Sequence, residues 1–239
     1  MVITIAARKG GVGKTTVACG LASILAAQGK RVVVVDLDPQ SNAAYVLGVD
    51  PTLAGTAAWL TGSEPTFQAA SENLMVLAGG PELSERAIER LDPHDLHSAA
   101  KLLAADVIIC DCPPGDENLE RLAIRAASVA LVITDAHPLA VKGAGRVIED
   151  LDSDRKKGHR IPNRVAIVLS KVDSRRSMDR GLDAHLAQSY PHLHRVTVRQ
   201  DVDVAAATAT GTPLMQGAPT CRGAQDLQTL ARWIYEQQT

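Results

Sequence analysis

The sequence predicts an α/β fold, a mostly parallel sheet flanked by helices on both faces, in a single domain over residues 1–239. Three observations predict it. The strand-like runs Val2–Ala6, Arg31–Val35, Val107–Cys110, Val129–Thr134 and Arg164–Lys171 are largely apolar, and the continuous β-branched run of the second is the pattern of a parallel strand covered on both faces. Helix-length stretches separate them, so strand and helix alternate along the chain. The first strand, a helix over 17–27 closed by Gly29, and the second strand make a βαβ unit within residues 2–36. Hydrophobic residues are 46% of the chain, enough for a substantial core and too many for a disordered segment.

Between the first strand and the first helix stands Arg8-Lys9-Gly10-Gly11-Val12-Gly13-Lys14-Thr15-Thr16. Strand, glycine-rich turn, helix is the context of a phosphate-binding loop. The glycines let Gly10, Gly11, Val12 and Gly13 curl so that several N–H groups converge, and the helix N-terminus adds partial positive charge. In such a loop Lys14 reaches the β- and γ-phosphates, and the Thr15 hydroxyl, followed by Thr16, sits on Mg²⁺.

The second strand delivers Asp36-Leu37-Asp38-Pro39-Gln40-Ser41-Asn42, where two carboxylates two residues apart at a strand end point the same way. A short helix over 56–60, a strand over 74–77 and helices over 82–91 and 94–104 follow. His94 and His97 are spaced i, i+3 without a third ligand, as on a solvated helix face. Val107 to Gly115 runs as an apolar strand into Asp111-Cys112-Pro113-Pro114-Gly115. A strand-terminal aspartate beside a phosphate loop holds Mg²⁺, usually through water, and the stiff Pro-Pro-Gly turn leaves the glycine N–H free to approach the γ-phosphate. A helix over 118–127, a strand over 129–134, a turn carrying His137, a helix over 139–151, a charged loop over 154–160 and a strand over 164–171 come next. Then follow a short strand over 195–198, a helix over 202–210, Gly211-Thr212-Pro213-Leu214, and a last helix over 223–237 with Leu227, Leu230, Ala231 and Ile234 at helical spacing.

The string Lys9 to Thr16 resembles the deviant Walker A phosphate loop of the ParA/MinD family of ATPases, and the segments 36–42 and 111–114 resemble its two switch elements. The resemblance implies a P-loop NTPase that hydrolyses ATP with Mg²⁺, slowly without a partner. It implies that Lys9 crosses a dimer interface to the partner's nucleotide, that Asp38 positions the attacking water, and that Asp36 supports the Mg²⁺ shell beside Thr15 and Asp111. Arg199 to Leu214 is similar to the family's purine-holding block around Pro213, with alanine near positions 205 and 206 where the family has Glu. Ser170 stands where the family commonly has Asn, which leaves the base contact open at that segment; the rest of the pattern favours ATP.

The termini and cysteines narrow the relatives. A MinD-like chain would end in a basic amphipathic helix for lipid, whereas this end carries little positive charge. A nitrogenase-reductase-like chain needs paired cluster cysteines and an Fe–S scaffold ATPase a C-x-x-C, while Cys19, Cys110, Cys112 and Cys221 have neither spacing and suit structural positions. A bacterial tyrosine kinase would carry a tyrosine-rich tail, and only three tyrosines occur. No stretch looks like a signal peptide or a membrane span, so a cytoplasmic protein without a membrane partner is expected. The loop starts at residue 9, so the resemblance is to short ParA-type partition proteins that lack an N-terminal helix-turn-helix.

By that resemblance the ATP-bound homodimer binds non-specific double-stranded DNA, associates with the nucleoid, and is triggered to hydrolyse by a ParB-like or other cargo adaptor, segregating a plasmid, chromosome or other cargo. Residues 151–200 carry 11 basic and 5 acidic side chains against a formal net charge of −2 for the whole chain, which suggests a basic face in the C-terminal half. Arg155, Lys156, Lys157, Arg160, Arg175, Arg176, Arg199 and Arg222 are the candidates for phosphate-backbone contacts. Aromatic residues are 3%, too few for a base-stacking platform. The alternatives are a nucleotide-switched regulatory ATPase acting on a protein or membrane partner without DNA, and a metabolic amidoligase or kinase-like relative, for which no second substrate motif is visible.

Overall fold

A computed structural model of the chain describes residues 1–84, 88 and 90–236. Eight strands, β1 Val2–Ala6, β2 Val32–Asp36, β3 Gln68–Ser71, β4 Leu74–Leu77, β5 Val107–Asp111, β6 Val129–Thr134, β7 Arg164–Val172 and β8 His194–Arg199, form one sheet in the order β3-β4-β2-β5-β1-β6-β7-β8. Every pairing is parallel except β3 with β4. The helices are α1 Lys14–Ala27, α2 Asn42–Val46, α3 Thr56–Leu60, α4 Pro93–Leu102, α5 Glu117–Ala126, α6 Pro138–Lys156, α7 Ser177–Ser189, α8 Val202–Ala209, α9 Leu214–Gly217 and α10 Arg222–Tyr235.

Both faces of the sheet are covered, which is why the central strands are apolar throughout. Ile3 and Ile5 pack on one side with Leu21 and Leu25 of α1 and Leu227, Leu230 and Ile234 of α10. Val33, Val35 and Ile108 pack on the other with Leu96 of α4 and Leu119 and Leu122 of α5. Where α1 crosses α10, a side chain at Gly20 would lie 2.6 Å from Leu227 Cδ1, so the glycine sets the approach of the two helices. The apolar face of the last helix is therefore spent on the core.

Several elements differ from the sequence reading. Helix α6 continues through 154–156, where a charged loop was expected. Asp154 is buried against Arg125, its two oxygens receiving Nε and Nη2 at 2.8 Å each, so that charge belongs to a packed helix face. The helix stops where Gly158 takes φ 73°. The short helix α2, the edge strand β3, α7 and α9 were not legible. The helix expected over 82–91 starts instead on the 3-10 turn Pro81–Ser84, and its middle falls on 85–87 and 89, outside the described residues. His137, read as a loop residue, caps α6, its Nδ1 accepting the Leu139 N–H at 3.1 Å.

Candidate nucleotide site

The phosphate loop, both aspartate-bearing loops and the β7 terminus leave the sheet at one edge, because parallel strands place all their C-terminal ends together. β1 lies between β5 and β6, and the loop after it follows the 8–16 string. Gly11 and Gly13 take φ 74° and 96°, left-handed values that a side chain would resist, and Gly13 caps α1. Lys14 is buried at 6% exposure. Pro114 packs its Cβ 3.7 Å from the Cβ position of Gly10, bringing the Pro-Pro-Gly turn onto the loop.

Asp36 and Asp111 are register partners at the ends of β2 and β5. Asp36 is satisfied by backbone: Oδ1 accepts the Asp38 N–H at 2.9 Å and Oδ2 the Ala43 N–H at 2.8 Å. Burial, and then the charge of Asp111, push its pKa upward. Its two bonds fold the 37–43 segment, which holds Asp38 in place. Asp38 is in turn held by the Gln40 N–H at 2.9 Å and by Asn42 Nδ2 at 3.0 Å.

Asp111 is different. It is fully buried, and no donor reaches either oxygen in hydrogen-bonding geometry. Burial raises its pKa to about 7, against the pull of the nearby Thr15 hydroxyl and Lys14 ammonium. A buried carboxylate with both oxygens orphaned is costly unless something pairs with it. Thr15 and Asp111, with Asp36 behind them, are a hard oxygen donor set that fits a hydrated Mg²⁺.

Other residues gather around the loop. Lys9 lies 3.7 Å from Asp135, beyond β6. Arg8 is 14% exposed at its side chain and bridges three carboxylates, Glu117 at 2.9 Å and Glu120 at 3.2 Å on α5, and Asp150 on α6. Burial pushes Glu120 up to about 7 in spite of Arg8. Pro213 lines a small cavity with Thr16, Cys19 and Gly20, so this proline stands beside the start of α1. Ser170 and Lys171 donate to the carbonyls of Val12 and Gly11. None of the contacts of Arg8, Ser170 or Lys171 was read from sequence, because each partner is more than a hundred residues away; Asn42 was visible in the 36–42 string, but its hold on Asp38 was not. Cys110 and Cys112 are buried core thiols flanking Asp111, and Cys19 is buried in α1.

The eight basic candidates do not form one face. Helix α6 runs antiparallel to the strands, so Arg155, Lys156, Lys157 and Arg160 sit at the edge opposite the phosphate loop, whereas Arg175, Arg176, Arg199 and Arg222 sit at the loop edge. Many are already paired. Arg199 forks onto Asp226 with a closest approach of 2.7 Å, Arg175 onto Asp173 at 2.8 Å, and Arg155 meets Asp152 at 3.1 Å. Arg176 and Arg222 lie 4.0 Å from Asp173 and Asp201, and Arg160 contacts His97 and the Ala126 carbonyl. Lys156 and Lys157 are exposed. Among the described residues no helix is long and apolar enough to cross a membrane.

The family described as the CobQ/CobB/MinD/ParA nucleotide binding domain matches residues 3–214. The chromosome-partitioning ATPase Soj of Thermus thermophilus is 31% identical over 97% of this chain and 94% of its own. Among solved structures, the septum site-determining protein MinD of Pyrococcus horikoshii, complexed with Mg-ADP, superposes with TM-score 0.79 at 26% identity, covering 98% of this chain and 96% of that one. A Cyanothece McdA variant in complex with ATP superposes with TM-score 0.84 at 22% identity, covering 100% and 97%.

Proposed function

The chain belongs to the CobQ/CobB/MinD/ParA nucleotide-binding family, and from that premise we propose that it is an ATP-dependent positioning ATPase of the ParA type. The observation that carries the partition reading is the likeness to a chromosome-partitioning ATPase along 97% of the chain. The ATPase chemistry is supported by the orphaned Asp111 carboxylate behind the phosphate loop.

In this reading the N–H groups of Gly10 to Gly13 cradle the phosphates and Lys14 pairs with their charge. Thr15 and Asp111 would hold Mg²⁺, with Asp36 supporting them, and the ion would supply charge neutralisation at the phosphate oxygens. Asp38, clamped by Gln40 and Asn42, orients the attacking water. Phosphoryl transfer leaves little covalent work to the protein, so positioning and charge are the whole task. Pro213 lies along the purine. Lys9 leaves Asp135 and reaches the nucleotide of a second subunit, so ATP closes a homodimer. That dimer binds duplex DNA through Lys and Arg contacts to phosphates, and an adaptor on the cargo, ParB-like in kind, stimulates hydrolysis and release. The apolar face of α10, Leu227, Leu230 and Ile234, is spent on the core and not offered to lipid.

The test is anisotropy of a labelled non-specific duplex with MgATP, MgADP or no nucleotide, at low and at moderate salt. Binding is expected only with MgATP, weakening steeply as salt rises. An ATP-dependent dimer that binds no DNA in any state would overturn the partition reading and leave a regulatory switch with a protein or membrane partner.

A further inference from the structure

The terminus of β7 reaches over the back of the phosphate loop. The Ser170 hydroxyl donates to the Val12 carbonyl, and the Lys171 ammonium donates to the Gly11 carbonyl at 2.6 Å. A Cβ on Gly13 would stand 3.4 Å from Ser170 Oγ and 3.6 Å from Lys171 Cε, so both side chains lie against the loop. Consecutive residues of a regular strand point to opposite faces. Here two consecutive side chains serve one loop. The backbone makes this possible: the β7–β8 register shifts between Leu169 and Val172, and Lys171 takes φ 56°, a left-handed value uncommon for a residue with a side chain.

The carbonyl and N–H of a trans peptide point in opposite directions. Drawing the Gly11 and Val12 carbonyls toward β7 therefore turns the N–H groups of Val12 and Gly13 away from it, toward the concave side of the loop. We propose that Ser170 and Lys171 are positioning residues of the phosphate cradle, holding two successive carbonyls so that the N–H groups of Val12 and Gly13 are aimed before phosphate arrives. Ser170 is 3% exposed and has one hydroxyl proton, which is spent on Val12. It braces the loop and donates nothing to a base edge. Lys171 adds a cation to the loop without occupying the phosphate position. The inference rests on the reading of the 8–16 loop as a nucleotide site.

The experiment measures dissociation constants of fluorescent ATP and GTP analogues, with KM and kcat for ATP, for the parent chain and for Ser170→Ala, Lys171→Met and Lys171→Arg. Ser170→Ala and Lys171→Met are expected to weaken both nucleotides by a common factor of about tenfold, raising KM more than they lower kcat. Lys171→Arg, which keeps a donor and a charge, is expected to recover most of the loss. Lys171 is exposed, so its variants leave the core intact. Two results overturn the proposal: binding within twofold of the parent in both Ser170→Ala and Lys171→Met, or a Ser170→Ala change confined to one of the two nucleotides, which would make the serine a base reader. Failure of the parent chain to bind either nucleotide would instead overturn the nucleotide reading itself.

Discussion

Gly79 lies outside the phosphate loop, yet replacing it should disable hydrolysis. A Cβ built at this position would lie 2.0 Å from the Asp38 carbonyl oxygen, 3.0 Å from its carbon and 3.4 Å from the Asp36 carbonyl oxygen. The obstacle is backbone, so no rotamer relieves it, and the shortfall from an ordinary contact is more than about 1 Å. The segment after β4 or the segment carrying Asp38 must move. The latter is held by the Ser41 N–H on the same Asp38 carbonyl, at 2.9 Å, and by the bonds from Asp36. Overpacking of this kind costs about 1–3 kcal/mol, which for a chain this long lowers Tm by roughly 2–12 °C. Displacement of a water-positioning carboxylate by about 1 Å costs about 100-fold in rate. Gly79→Ala should therefore lower steady-state ATP turnover about 100-fold. ADP affinity should change by only a small factor, because the phosphate loop hangs on β1 and not on β4. A phosphate-release assay and an ADP titration on the same preparation give both quantities, and a melting curve confirms the fold. Turnover within threefold of the parent, with ADP binding intact, would refute the assignment of Asp38 and the rigidity ascribed to its loop.

Asp111→Asn should stabilise the apo chain at pH 8, since it removes a buried carboxylate whose oxygens lack donors, while abolishing the increment that Mg²⁺ adds to nucleotide binding. Melting curves with ADP, in EDTA and in Mg²⁺, separate the two effects, and an unchanged Mg²⁺ increment would contradict the assignment. The pH dependence follows from the buried carboxyls raised above their usual range, Asp36, Asp111 and Glu120. Asp111 and Glu120 both titrate near about 7 in the folded chain and near about 4 when unfolded. Between those values the folded state binds more protons than the unfolded state, so apo stability should fall as pH rises from about 4 to about 7 and level off above. Urea midpoints across that range test this, and Glu120→Gln should flatten part of the slope.

How much could be read beforehand follows from where the information sits. The strands over 74–77 and 129–134 and the helix over 56–60 were placed residue for residue, because their apolar runs and their punctuation are local. The loops after β1, β2 and β5 were legible because each carries its chemistry in a contiguous string. Helix α7 was not, since only Leu182 and Leu186 mark its buried face as apolar in an otherwise polar segment. The pairing of the basic residues was not legible for a related reason. Counting Arg199 or Arg175 as a free cation overlooks Asp226 and Asp173, the first of which is 27 residues away. Arg8 shows the same limit more sharply, because its partner Asp150 is 142 positions further along the chain. Ser170 carried a signal as a departure from the expected Asn, but the direction of its hydroxyl is a product of the irregularity in β7.

Helix α6 runs the depth of the sheet as well as covering it. Its 19 residues make a rod about 28 Å long. One end begins beside Asp135, which holds Lys9, and the second turn carries Gly143, whose Cβ position is 3.2 Å from Arg8 Cβ. The other end presents Arg155 and Lys156 at the far edge of the sheet. One continuous helix thus spans the sheet, with its first turns against the phosphate-loop segment and its last turn at the opposite edge.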